Sequence, residues 1–134
     1  MEELETEDYL NELDRLEKLI DNLEQKFADD TSYTQFSGKS ELKTDMQQLM
    51  DALKKLKNLD KLFFTKPRIS SEKVRTKRRV LQKELLHALM YCKKVAQKLF
   101  PDEETEQDMK QLLKRLDQIF GHNATSNRYL VDLK

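Results

Sequence analysis

Two histidines, one cysteine, a run of bases and an acid-rich opening segment are the residues of this chain whose types could support chemistry. His87 lies among Leu85, Leu86, Ala88 and Leu89, and His122 follows the last helical period. A zinc centre needs several Cys, His, Asp or Glu side chains converging on one point, and no such cluster is expected around either histidine. His87 is read as a satisfied or half-exposed side chain. His122 is read as a cation well placed near a helix C-terminus. Cys92 falls on a wide apolar stripe. Reactive thiols occupy electropositive, accessible surroundings, whereas Lys93 and Lys94 would point away from Cys92 on a helix, so a core thiol is expected.

Gly38 and Gly121 are the only glycines and stand alone. That excludes a glycine-rich phosphate loop and a nucleophile elbow. The first 30 residues hold 12 acids, which raises the idea of paired carboxylates or a di-metal site. Such sites in bundles project Glu-x-x-His sets inward. Here the acids are expected on the outer, solvated positions of an amphipathic helix, with no inward set. No enzyme, no cofactor, no metal and no small-molecule substrate is therefore expected.

The basic block reads Lys66-Pro67-Arg68-Ile69-Ser70-Ser71-Glu72-Lys73-Val74-Arg75-Thr76-Lys77-Arg78-Arg79. Lys73, Arg75, Lys77, Arg78 and Arg79 fall in the first turns of a helix, where the macrodipole disfavours cations. Three roles follow for the block, with Lys66 and Arg68 included: neutralising the acidic first helix inside the fold, contacting phosphates of a nucleic acid, or meeting an acidic protein or serving in nuclear import. Residues 1–30 carry a net charge of −9 and residues 66–100 a net charge of +9, while the whole chain is neutral. Overall neutrality, and the lack of aromatics among these bases, count against nucleic acid, whose binding domains are usually net basic.

The elements that must position these residues follow from periodicity. Tyr9, Leu13, Leu16, Ile20, Leu23 and Phe27 are spaced 4-3-4-3-4, a heptad seam, and predict a helix over about 7–28. A loop with Gly38 follows. Ser40 is read as the N-cap of a helix over about 40–65, with Leu42, Met46, Leu49, Leu53 and Leu56 as its seam and Pro67 as its stop. Phe63 and Phe64 end that helix, one capping the core. Ser71 starts a third helix over about 71–100. Its face, built on Leu81, Leu85, Ala88, Cys92, Val95 and Leu99, is widened by Leu86, Leu89, Met90 and Ala96, which marks it as the most buried. Asp102 caps a fourth helix over about 102–120, and Gly121 sits at its C′ position. Residues 122–134 form a tail without helical period.

Only 2 Gly and 2 Pro in 134 residues leave little material for the turns of a β fold. The sequence therefore predicts an all-α fold, one domain over 1–121: an antiparallel four-helix bundle with coiled-coil-like heptad packing. Short connections predict that sequential helices are antiparallel neighbours. One cysteine excludes an intrachain disulfide. The acidic N-terminus does not read as a signal peptide, and Asn123-Ala124-Thr125 is an isolated sequon, so an intracellular place, nuclear or cytoplasmic, is expected. Apolar residues make up 37% and charged residues 37%, a thin core with long solvated faces. The function this predicts is a non-enzymatic protein–protein interaction module, an adaptor or subunit of a larger assembly. Its contact would be the seam Tyr9, Leu13, Leu16, Ile20, Leu23 and Phe27, packing on another protein's helix or on a second copy. Nucleic-acid binding through residues 66–79 is the alternative, and no membrane is involved.

Overall fold

The computed structural model describes residues 2–65 and 72–120. Four long helices carry them: α1 (Glu2–Ala28), α2 (Gly38–Thr65), α3 (Glu72–Leu99) and α4 (Glu103–Phe120). No strand occurs among the described residues. The expected caps Ser71 and Gly121, and the tail 122–134, lie outside them.

The heptad seams supply the core. All six α1 seam residues are buried, as are Leu42, Met46, Leu49, Leu53 and Leu56 of α2. Nine residues of α3 are buried, from Val74 to Ala96, which fits its wide apolar face. Met109, Leu112 and Leu116 close the core from α4.

Charged side chains on the flanks of these seams reveal how the helices run. Lys26 pairs with Glu41 and Asp45, and Lys55 with Glu12, so α1 and α2 run in opposed directions. Asp14 pairs with Lys77, Glu24 lies 3.8 Å from His87, and Asp30 pairs with Lys98. That ascending order makes α1 and α3 run the same way. Lys39 and Lys43 of α2 meet Asp102 and Glu104 before and within the first turn of α4, so these two starts share one end.

Packing is most extensive between α1 and α3, next between α2 and α4, and smaller between α1 and α2 and between α3 and α4. The ring order is therefore α1, α3, α4, α2: α1–α2 and α3–α4 are neighbours as the short connections predict, whereas α2 and α3 lie across the ring from each other. Charge explains this order. α1 and α3, which pack together, come from segments of opposite net charge (−9 over residues 1–30, +9 over 66–100), and so do α2 and α4 (+2 over 31–65, −2 over 101–134). Individual exposed pairs contribute only about 0–1 kcal/mol, but flanking charges choose partner and register between otherwise similar apolar seams.

The link between α1 and α2 is more ordered than a loop. Asp29 accepts from the Thr31 N–H at 3.4 Å and from its hydroxyl at 2.5 Å, starting a 3-10 helix over Asp30–Thr34. This turn drops Tyr33 into the core, where its ring stacks on Phe27 with centroids 5.9 Å apart. The Tyr33 carbonyl then lies against Gly38, where a Cβ would collide with it. α2 starts at that contact rather than at Ser40, whose carbonyl instead accepts from the Thr44 hydroxyl inside the helix. The fourth helix is capped as expected: the Thr105 N–H donates to Asp102 at 2.8 Å.

Leu85 is fully buried, and Leu85→Ala is expected to cost about 2–5 kcal/mol. Gly38→Ala must displace backbone and should cost about 1–3 kcal/mol, as overpacking does. Denaturant midpoints measure both; a midpoint unmoved by Leu85→Ala would place α3 at the periphery.

Candidate functional site

α2 carries two buried aspartates, Asp45 and Asp60, at 4% and 8% exposure. Buried carboxylates need charge partners and hydrogen bonds, and each has both. The Tyr33 hydroxyl donates to Asp45 at 2.6 Å, and Lys26 approaches it to 2.9 Å while lying over the Tyr33 ring. Arg78 clamps Asp60 through Nε at 2.7 Å and Nη2 at 2.9 Å, a two-pronged fit. Tyr9 lies beside this second pair; burial first, then the Asp60 charge, pushes its hydroxyl pKa up to about 12, against the pull of Arg78. Burial and the Asp45 bond push the Tyr33 hydroxyl up as well. Neither tyrosine is thereby made an acid for use near neutral pH. The two nodes tie α1 to α2 and α2 to α3.

The basic block divides on this geometry. Lys77 engages Asp14 on the α1–α3 flank and half-buried Arg78 engages buried Asp60, so both serve contacts within the chain. Lys73, Arg75 and Arg79 have exposed side chains. Lys66 and Arg68 lie outside the described residues, as do the side chains of Phe63 and Phe64. The α1 seam residues Tyr9, Leu13, Leu16, Ile20, Leu23 and Phe27 are each at most 4% exposed. They are the core of this chain, which corrects the expectation that their stripe stays open. α3 and α2 cover them.

An opening does exist elsewhere. A groove of about 610 Å³ runs between α3 and α4. Ala96, Phe100, Pro101, Met109 and Leu113 give it an apolar lining, and Lys93, Glu106 and Lys110 flank it. Leu113 and Phe100 are only half-buried. The groove forms because the α3–α4 contact is slighter than the α1–α3 contact. Fully exposed Phe36 lies just before Gly38, on the α1–α2 link.

Burial, with a smaller push from Asp45, raises the Cys92 thiol far above the range of a reactive cysteine. Asp102 is lowered to about 2, chiefly by the Thr105 N–H. The stability that cap contributes is present above the ordinary carboxyl range and is lost as pH falls toward 2.

Asp21, Glu24 and Glu84 form a cluster that sequence reasoning missed, their carboxylate oxygens lying within 4.8 Å of one another. His87 stands beside it, with Nδ1 3.8 Å from Glu24. Oxygen and imidazole donors of this kind suit a divalent cation chemically. The signal was legible: Glu84-Leu85-Leu86-His87 has the Glu-x-x-His spacing, and Asp21 and Glu24 share the same i, i+3 interval on α1. These residues sit on the flank between α1 and α3 and do not face the core.

No family model, curated protein or solved structure matches this chain. No described helix is long and apolar enough to cross a membrane.

The two engaged bases should behave differently on removal of a partner. Asp60→Ala strands Arg78, whose side chain is 23% exposed, and is expected to cost about 2–3 kcal/mol. Lys77→Gln removes a more exposed pair and should cost at most about 1 kcal/mol. Equal losses in urea titrations would contradict the assignment of Arg78 to the interior.

Proposed function

We propose that this protein is a non-enzymatic interaction module that binds an amphipathic helix of another protein in the α3–α4 groove. The observation that carries this reading is that the chain closes its own heptad seams but leaves half-buried Phe100 and Leu113 lining an open channel, with buried Ala96 and Met109 at its floor. A helix laid in an apolar groove buries anchors at i, i+3, i+4 and i+7. Methionine in such a lining adapts to side chains of different shape. The groove's flanks carry both signs of charge, with Lys110 paired to Glu106 at 3.4 Å, so a partner with mixed polar flanks fits better than a polyanion.

The cysteine is buried with a raised pKa, and the most strongly shifted tyrosines serve the interior nodes. The reading is therefore one of an adaptor or subunit, working in the nucleus or cytoplasm without a cofactor. Nucleic-acid binding has less support, because Lys77 and Arg78 of the basic block are spent on Asp14 and Asp60.

Leu113→Glu places a charge in the groove with little loss of core, since Leu113 is half-buried. In affinity capture from cell extract, wild type should retain a protein partner that Leu113→Glu loses, with helicity unchanged by circular dichroism. A variant with Lys73, Arg75 and Arg79 replaced by Gln should retain that partner. Submicromolar binding to duplex DNA or RNA at near-physiological salt, lost in the Gln variant, would overturn this reading in favour of nucleic acid.

A further inference from the structure

The helix that forms one wall of the open groove is also the helix from which the last residues of the sequence depart. α4 stops at Phe120. Gly121 to Arg128 follows, eight residues without a large apolar side chain, and then comes the apolar run Tyr129-Leu130-Val131-Asp132-Leu133. Residues 121–134 lie outside the described residues. Reach, spacing and charge all connect this run to the α3–α4 groove.

Leu113 and Thr105 line the groove at its two ends along α4. From Phe120 back to Leu113 is about 10 Å of helix, and back to Thr105 about 22 Å. Eight extended residues span up to about 27 Å. Gly121 to Arg128 is therefore long enough to turn back and deliver Tyr129 to either end.

The run also fits the groove in length and pattern. Thr105 to Leu113 occupies about 12 Å of α4, and an extended Tyr129–Leu133 is about 13 Å long. On an extended segment the alternate side chains Tyr129, Val131 and Leu133 share one face. That face matches a lining of half-buried Phe100 and Leu113 over buried Met109 and Ala96. A segment returning from the end of α4 runs against the direction of α4. Tyr129 then enters beside Leu113, and Leu133 ends near Thr105. Asp132 falls between Lys93 on the α3 rim and Lys110 on the α4 rim. Lys110 is otherwise met by exposed Glu106 at 3.4 Å, a contact of the exposed kind that contributes little.

From this fit we propose that Tyr129, Val131 and Leu133 seat in the α3–α4 groove of their own chain, and that a partner helix must displace them to bind. The seating stands on the groove alone, whereas the displacement rests on the partner reading given above. A tether of eight residues holds the segment at about millimolar effective concentration. A modest apolar fit is then enough to fill the groove, and a second copy in dilute solution cannot match that concentration. The partner's apparent affinity falls in proportion to the fraction of chains whose groove is open.

The test is paramagnetic broadening in the full chain. A nitroxide is attached through Arg128→Cys in a Cys92→Ala background, and the Met109 methyl signal is read by carbon-13 NMR before and after the nitroxide is reduced. The Met109 signal should be lost while the nitroxide is active. It should return when Tyr129, Val131 and Leu133 are all replaced by Ser, and also in Leu113→Glu, which disrupts the contact from the groove side. A mixture of nitroxide-bearing chain without isotope and isotope-labelled chain without nitroxide should keep the signal. A Met109 signal that persists beside the active nitroxide, or a loss that survives the triple Ser replacement, would overturn the seating. A loss in the mixture would overturn it too, and would give the groove to a second copy. Capture from cell extract reads the displacement separately: the triple Ser variant should retain several-fold more partner than wild type. Equal retention overturns the displacement. No partner with either chain overturns the displacement together with the partner reading, and the seating is still decided by Met109.

Discussion

The register between α1 and α3 is the constraint on which the rest of this molecule depends. Asp14 with Lys77, Asp21 with Glu84, and Glu24 with His87 each span the same 63 residues of sequence. A constant offset means the two helices advance in step and keep one register along the paired stretch. Once these helices lie side by side in one direction, α2 and α4 must run the other way to close the core. Their own pairing then follows from Lys39 and Lys43 meeting Asp102 and Glu104. Apolar burial supplies the driving force, while charge decides who sits beside whom.

The polar interior fixes this arrangement further. Buried ion pairs add little net stability relative to apolar packing, but they penalise wrong registers, because a misplaced Asp60 or Arg78 would be buried without its partner. Two nodes, Tyr33–Asp45–Lys26 and Tyr9–Asp60–Arg78, perform this task at separate points of α2. About 15 residues of helix, or roughly 22 Å, separate the two aspartates. A helix pinned at two such points cannot slide by a turn without exposing both charges to apolar surroundings.

Much of this was legible in the sequence. The 4-3 spacing from Tyr9 to Phe27 and the wide face of α3 identified the helices and most of the core. Asp102 announced its own cap. Ring order was not legible, because heptads fix a face and leave the partner open, and short links suggested neighbours that charge then rearranged. The opposite net charges of residues 1–30 and 66–100 were the available clue, and they pointed to internal neutralisation, which the Lys77–Asp14 and Lys98–Asp30 pairs carry out. Tyr33 was missed because the link after Asp29-Asp30-Thr31-Ser32 reads as a polar loop, although Asp29 and Thr31 are the side chains that start a 3-10 turn. The α1 seam was misread as a docking face because a low apolar fraction suggested an incomplete core. That core is closed, and the thinness appears instead at the α3–α4 groove. The Glu84-x-x-His87 spacing was present and was overlooked in the sequence, which was read as holding no Glu-x-x-His set.

The central claim is that α1 lies beside α3 and runs in the same direction. Spin labels on cysteines replacing exposed residues, in a Cys92→Ala background, measure this directly by electron–electron distance. Asn11 and Thr76, both exposed near the start of the paired stretches, should be close, within about two helix diameters. Asn11 and Lys98 should be separated by some 30 Å, the length of the intervening α3 helix at 1.5 Å per residue. The reverse order of these two distances, or a long distance for both pairs, would contradict the account.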